Sequence, residues 1–183
     1  MTADPALRKK TIALVGLMGV GKSSIGRRLA TALELPFHDA DDEIERAAGR
    51  SIPEIFAERG EASFREGERR VIARLLDEAP HVLATGGGAF VNAETRALIK
   101  EKAISIWLKA DVEVLLRRVG RKDNRPLLKG RDARAVLQAL ALERSPAYAE
   151  ADISVETGET PHTAAVEAVL RALESHVKGL EAT

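Results

Sequence analysis

The sequence predicts an α/β fold, organised as a single three-layer α/β/α domain around a five-stranded parallel sheet. Five short apolar segments alternate with segments of helical periodicity, which is typical of a parallel sheet covered on both faces. The length of 183 residues suits one domain, spanning residues 1–183. The chain has no cysteine, which excludes disulfide frameworks and thiolate metal sites.

The predicted strands are short apolar runs bounded by glycine, proline or charged residues. They lie at residues 11–15, 36–38, 81–85, 103–108 and 152–155. Between them, apolar residues at helical spacing predict helices over residues 22–34, 41–48, 52–59, 61–76, 93–100, 111–118, 132–149 and 161–177. Residues 1–10 are expected to be a loose polar leader, and residues 119–131 a loop rich in Gly and basic side chains.

Charge and hydropathy exclude several kinds of partner. Lys plus Arg and Asp plus Glu both number 28, so the formal net charge is zero and a nucleic-acid-coating protein is not indicated. No stretch approaches the length of about 18 apolar residues that a membrane helix needs, and the first residues lack the apolar core of a signal peptide. We therefore expect a cytoplasmic protein that contacts neither nucleic acid nor membrane. We also expect it to be a monomer.

The strongest chemical signal follows the first strand. Residues 16–23 read Gly-Leu-Met-Gly-Val-Gly-Lys-Ser, which fits the phosphate-loop pattern G-x-x-x-x-G-K-[ST]. The required strand and helix stand on either side of it. In such a loop the backbone N–H groups surround phosphates, Lys22 can reach the terminal phosphates and the Ser23 hydroxyl can ligate Mg²⁺. The sequence therefore predicts binding of ATP or GTP with Mg²⁺.

Two further segments end strands at the same sheet edge. Asp39 and Asp41 follow the second strand, where carboxylates can hold Mg²⁺ through water or take a proton from a hydroxyl. No strand ends in the carboxylate of an ordinary Walker B motif, so Asp39 would have to supply it. Residues 86–88 are three consecutive glycines after the third strand, which would let a ligand approach the backbone closely.

Arginine is more abundant than lysine in this chain. Its planar guanidinium group can donate two parallel hydrogen bonds, which suits carboxylates and phosphates. Three arginines lie in segments that we expect to face the site: Arg65, Arg125 and Arg144. Arg125 lies in the loop of residues 119–131, which we predict to be a mobile lid.

Taken together, these motifs resemble the shikimate kinase family, a P-loop group similar to the nucleoside monophosphate kinases. The resemblance covers residues 10–175. It depends on the phosphate loop, on Asp39-Ala-Asp41, on Phe64-Arg65, on Thr85 with the three glycines, and on residues 125–128 and 143–148, which read Arg-Pro-Leu-Leu and Glu-Arg-Ser-Pro-Ala-Tyr. It implies a P-loop kinase fold and ATP-dependent phosphorylation of the shikimate 3-hydroxyl in aromatic amino-acid biosynthesis, with ATP and shikimate as partners.

The resemblance also implies roles for individual residues. The catalytic residues would be Lys22, Asp41 and Arg125. ATP would be bound by Gly19, Val20, Gly21, Lys22, Ser23, Ser24, Arg118, Arg125 and Thr160. Shikimate would be bound by Asp41, Arg65, Gly86, Gly87, Gly88 and Arg144. Mg²⁺ would be held by Ser23 directly and by Asp39 through water.

The residues by themselves leave two alternative functions open. One is another small-molecule P-loop kinase, such as a gluconate or nucleotide kinase. The other is a kinase-like protein that binds a metabolite without turnover, against which the intact Lys22, Ser23, Asp39 and Arg125 argue.

Overall fold

The computed structural model describes residues 4–119 and 132–182. Five strands form one sheet: β1 (Thr11–Val15), β2 (Phe37–Asp39), β3 (Val82–Ala84), β4 (Ala103–Lys109) and β5 (Ile153–Glu156). The strand order is β2-β3-β1-β4-β5, and every neighbouring pair is parallel. The predicted α/β fold with five parallel strands is confirmed.

Within these two ranges the α-helices are α1 (Lys22–Leu33), α2 (Ala40–Ala48), α3 (Ile52–Leu76), α4 (Ala93–Lys102), α5 (Val112–Val119), α6 (Ala133–Tyr148) and α7 (His162–Glu181). Most predicted boundaries are within two residues of these, and α7 runs four residues further than expected. None of these helices combines the length and apolar character needed to span a bilayer.

Strand β1 is the centre of the fold. It is hydrogen-bonded to β3 on one side and to β4 on the other, and all five of its residues are buried. A strand buried on both faces must be apolar throughout, which is why the run of residues 11–15 could be recognised. Ligands of open α/β sheets bind at the carboxyl ends of such strands. The fold therefore places the phosphate loop, which follows β1, at the middle of that edge.

Helix α3 is divided at Gly60, as the two predicted helices at residues 52–59 and 61–76 anticipated. Gly60 has φ 77° and ψ 175°, a conformation that residues with a Cβ scarcely adopt. A capping box between Ser51 and Glu54 starts the first half. The kink sets the direction of the second half, which carries Arg65 towards the sheet edge.

The prediction of a loose leader is wrong for residues 4–10. Residues Pro5–Arg8 form a 3₁₀ turn whose first N–H groups are capped by Asp4, with a 2.9 Å bond from the Ala6 N–H. The Leu7 side chain is fully buried in the core, beside α7. Leu7 is the only large apolar side chain of residues 4–10, and one such residue carries no periodicity, so its burial could not be recognised from the sequence.

We expect Leu7→Ala to lower the free energy of unfolding by about 2–5 kcal/mol, because it removes a fully buried side chain and leaves a cavity. Urea unfolding would measure it. Leu142→Ala, in which the same change is made at a side chain that is 84% exposed, serves as the control. Equal stabilities of the two variants would mean that the turn is not part of the core.

Candidate active site

The phosphate loop links β1 to α1 and begins at a point of very close packing. A Cβ on Gly16 would lie 2.6 Å from the carbonyl oxygen of Leu108, so only glycine fits there. The Lys22 ammonium group donates hydrogen bonds to the carbonyl oxygens of Gly16 (2.6 Å) and Leu17 (2.9 Å). The loop thus places a cation inside its own curve, beside the N-terminus of α1, where anions are stabilised.

Asp39 joins the phosphate loop to β2. One of its carboxylate oxygens caps α2 by accepting from the N–H groups of Asp41 (2.9 Å) and Asp42 (3.4 Å). Its other oxygen accepts a hydrogen bond from the Ser23 hydroxyl. A hydroxyl and a carboxylate together at a phosphate loop are the hard oxygen donors that Mg²⁺ prefers, with phosphates and waters completing its coordination. These residues therefore fit a magnesium ion.

No cluster of three or more His, Asp or Glu side chains capable of holding a metal on its own is found in residues 4–119 and 132–182. A two-residue site of this kind is what a magnesium–nucleotide complex needs, because the nucleotide supplies the remaining ligands.

A cavity of about 380 Å³ unites most of the predicted residues. Its lining consists of the phosphate loop, both aspartates and the start of the glycine segment, together with two residues of other elements: Met18, Gly19, Gly21, Lys22, Ser23, Ser24, Asp39, Asp41, Thr85, Gly86, Gly87, Arg118 and His162.

Arg118, on α5, closes one side of this cavity. Its guanidinium group donates to the carbonyl oxygens of Gly19 (3.4 Å) and Val20 (3.0 Å) in the phosphate loop, and of Gly158 (2.9 Å) after β5. It therefore holds the loop after β5 against the phosphate loop. Thr160 lies in that loop and is exposed, so its contact with ATP stays a prediction.

His162 lines the cavity, although its sequence position carried no signal for it. A Cβ on Gly21 would lie 3.6 Å from its Nε2 atom. Burial lowers the pKa of His162, and the charges of Arg28 and Arg118 lower it further, which favours the neutral ring. Only the fold shows that the first residue of α7 is adjacent to the phosphate loop.

The three glycines after β3 are surrounded by acidic and basic side chains. A Cβ on Gly86 would lie 2.7 Å from the Glu68 Oε2 atom and 3.1 Å from the Asp41 Oδ1 atom. On Gly87 it would lie 3.3 Å from the Arg144 Nη1 atom, and on Gly88 it would lie 2.5 Å from the Arg65 Nη2 atom. The segment therefore forms a pocket with the carboxylates of Asp41 and Glu68 and with the guanidinium groups of Arg65 and Arg144.

Glu68 is a residue of this pocket that the sequence did not reveal. Its side chain is buried, and its Oε1 atom accepts a hydrogen bond of 2.9 Å from Arg65. Burial raises the pKa of the Glu68 carboxyl, against the opposing charges of Arg65 and Arg144. The sequence offered one signal for Glu68, its position three residues after Arg65 on the same helix. Many ion pairs on helix surfaces have the same spacing, so this signal is not specific.

Two atoms of this pocket are buried without a hydrogen-bond partner among the described residues: Glu68 Oε2 and Arg144 Nη1. Orphaned polar atoms are costly in a protein interior, and they frequently mark a place where a ligand supplies the partner. Arg125 and the predicted lid, apart from Val119 at the end of α5, lie outside the described residues.

The fold and the site together define a P-loop kinase of small molecules, with a phosphate loop on one side of a cavity and the glycine segment of residues 86–88 on the other. The family model for shikimate kinase matches residues 18–174, and the chain belongs to that family.

Individual relatives agree with this assignment. The shikimate kinase of Caulobacter vibrioides is 75% identical over 167 residues, which cover 91% of this chain and 84% of that protein. That of Bradyrhizobium diazoefficiens is 55% identical over 177 residues, or 97% and 86% of the two chains. The structure of the Acinetobacter baumannii shikimate kinase in complex with shikimate has a TM-score of 0.90 at 39% identity, covering 93% of this chain and 96% of that one.

A gluconokinase from Sinorhizobium meliloti has a TM-score of 0.63 at 18% identity and covers 95% of this chain and 97% of its own, a likeness that concerns the fold alone.

Proposed function

We propose that this chain transfers the γ-phosphoryl group of ATP to the 3-hydroxyl of shikimate, giving shikimate 3-phosphate and ADP in the shikimate pathway. Membership of the shikimate kinase family supports the activity. The observation that carries the site assignment is the position of Asp41. It lines the cavity of the phosphate loop and also faces the glycine segment that Arg65 and Arg144 flank.

On the nucleotide side, the N–H groups of residues 19–24 would bind the phosphates at the N-terminus of α1. Lys22 would neutralise charge that develops on the transferred group, and Arg118 would lie against the adenine. Ser23 and Asp39 would hold Mg²⁺, which supplies charge neutralisation between the phosphates when it is bound.

On the acceptor side, Arg65 and Arg144 would bind the shikimate carboxylate, so we call the pocket around the glycine segment the acceptor pocket. A guanidinium fork pairs with a carboxylate through two hydrogen bonds, so two of them orient the ring as well as hold it. The backbone of residues 86–88 would lie along the ring. A Cβ on Gly86 or Gly88 would collide with Glu68 or Arg65, and one on Gly87 would crowd Arg144.

Asp41 would bind the ring hydroxyls and accept the proton of the 3-hydroxyl as its oxygen forms the new bond to phosphorus. The bond between the γ-phosphorus and its bridging oxygen breaks, and the electron pair leaves with ADP. Phosphoryl transfer needs alignment and charge neutralisation more than covalent help from the protein, so holding both substrates in one cavity supplies much of the rate enhancement.

Arg125 and the lid complete the proposal. The lid would bring Arg125 to the ATP phosphates and exclude water, which suppresses hydrolysis of ATP. We further propose that the chain works as one domain, as a monomer and in the cytoplasm, as its sequence predicts.

Release of ADP, measured with shikimate, gluconate, a nucleoside monophosphate or no acceptor, tests the proposal. We expect turnover with shikimate only, with shikimate 3-phosphate identified by ³¹P NMR. If another compound of the panel were the only one phosphorylated, that compound would replace shikimate as the proposed substrate. Saturable shikimate binding without ADP release would instead support the non-catalytic alternative.

Gly88→Ala tests the acceptor pocket. Its Cβ would collide with the flexible end of Arg65, so the fold tolerates the change while the guanidinium group is displaced. We expect the KM for shikimate to rise by about 10-fold or more, the loss of a hydrogen bond between charged groups. Steady-state kinetics measure it, and Gly67→Ala, where a Cβ meets nothing within 4 Å, is the matched control. A wild-type KM for shikimate in the Gly88→Ala variant would mean that Arg65 does not bind shikimate.

A further inference from the structure

Tyr148 is the only tyrosine of the chain and the last residue of α6. Its side chain is 1% exposed, and its hydroxyl donates a hydrogen bond to the carbonyl oxygen of Gly87. The ring packs against Trp107 of β4, with 5.7 Å between the ring centroids. Burial raises the pKa of the Tyr148 phenol, against the charge and the hydrogen bond of the neighbouring Arg144, so the hydroxyl links Arg144 to the glycine backbone.

The backbone of Gly87 lies between the two halves of the active site. A Cβ there would meet the Arg144 Nη1 atom at 3.3 Å, the Met18 nitrogen at 3.4 Å and the Gly16 carbonyl oxygen at 3.8 Å. The first belongs to the acceptor pocket, and the other two belong to the phosphate loop. The position of Gly87 therefore sets the spacing between acceptor and phosphate donor.

Three consecutive glycines have too much backbone freedom to hold such a spacing by themselves. The end of α6 provides two attachments for this segment. Tyr148 holds Gly87, and Glu150 forms a 2.9 Å ion pair with Arg96, whose Nη1 atom donates to the carbonyl oxygens that follow the glycines, at Phe90 and Val91. Of these two attachments, the hydrogen bond from the Tyr148 hydroxyl is the one that reaches the glycine segment itself.

We propose that Tyr148 is a positioning residue, whose hydroxyl fixes Gly87 and thereby aligns the acceptor hydroxyl with the phosphate loop. This inference rests on the proposed function. The phenol contacts no reacting atom. It acts through the glycine backbone and through Arg144, which stands beside it. A small displacement of bound groups lowers the rate of phosphoryl transfer steeply, because the reacting atoms must be within reach and in line.

The first test is Tyr148→Phe, which keeps the buried ring and removes only the hydroxyl. We expect kcat to fall about 10-fold and the KM for shikimate to rise several-fold, from the loss of one buried hydrogen bond, while the KM for ATP stays within about twofold. A purely structural role would instead change both KM values together or leave the kinetics unchanged, and either result would overturn the proposal.

Ser145→Ala is the matched control for this variant. It also removes one hydroxyl from α6, three residues away, where Ser145 donates to the carbonyl oxygen of Ala141 and does not touch the glycine segment. We expect its kinetics to equal those of the wild type. A loss equal to that of Tyr148→Phe would show that any change in α6 suffices, against a specific role for Tyr148.

The second test uses the native fold and does not depend on the variant. Because the chain has one tyrosine, growth with 3-fluorotyrosine labels Tyr148 alone for ¹⁹F NMR. We expect saturating shikimate to shift this resonance more than ADP does. An unchanged resonance at saturating shikimate would overturn the proposal. ADP release by the unlabelled wild type with shikimate tests the proposed function separately.

Discussion

Replacing Asp41 with asparagine is expected to lower kcat by a factor of about 10³, since a positioned general base contributes on the order of 10²–10⁴ to a rate. The amide has the size of the carboxylate but cannot accept the proton of the shikimate hydroxyl. The affinity for ADP should stay within about twofold, because in the proposed mechanism the loop and Lys22 would hold the phosphates.

The neighbouring residue offers a matched control. Asp42→Asn makes the same chemical change one residue further along the first turn of α2, so both variants lose one charge near the same helix N-terminus. Asp42 is exposed, and its nearest cation, Arg27, lies 3.9 Å away. We expect the Asp42 variant to keep the wild-type kcat.

Steady-state kinetics together with calorimetric titration of ADP separate turnover from nucleotide binding. Full activity of Asp41→Asn would remove Asp41 from the proposed mechanism. An equal loss in both variants would point to the helix N-terminus rather than to proton transfer.

The parts of the fold that could be predicted are those encoded locally. The apolar run before Gly16, the pattern of the phosphate loop and the glycine at residue 60 each determine their own backbone. Leu7 could not be placed, because its burial depends on α7, more than 150 residues away in sequence. Short strands such as β2 shifted by one residue because three residues carry little periodicity.

The residues of the candidate site likewise divide into those that local sequence motifs predict and those that only the fold reveals. Lys22, Ser23 and Asp39 follow from motifs next to strand ends, and the structure brings them together. Glu68 and His162 needed the fold, since one is a glutamate in a helix rich in glutamate and the other begins a helix distant in sequence. Arg65 and Arg144 were expected to lie in segments that face the site, but their roles as carboxylate ligands came from the family resemblance.

Arg144 is the residue of the proposed acceptor pocket that gives the most specific prediction. The side chain is 6% exposed, and its Nη1 atom has no hydrogen-bond partner in residues 4–119 and 132–182. A buried guanidinium group without a full set of partners is costly, and the carboxylate of a bound substrate would supply what is missing. If Arg144 binds the shikimate carboxylate as proposed, binding would relieve a free-energy cost that is already present in the folded protein.

We expect Arg144→Ala to raise the KM for shikimate by about 10- to 100-fold, the range for a hydrogen bond between charged groups, and to leave the KM for ATP within about twofold. Arg144→Lys should be intermediate, since an ammonium group keeps the charge and loses the planar fork. Arg134→Ala, at an exposed arginine of the same helix that pairs with Glu113, is the control.

The methyl ester of shikimate makes the test specific for the carboxylate. The wild type should bind the ester much more weakly than the acid, because the ester lacks the charge that Arg144 and Arg65 are proposed to bind. In Arg144→Ala the ratio of the two KM values should shrink by the factor that the substitution costs the acid, the coupling expected of groups in direct contact. If the ratio is unchanged, Arg144 does not contact the carboxylate, and its burial beside Gly87 serves the fold of the glycine segment instead.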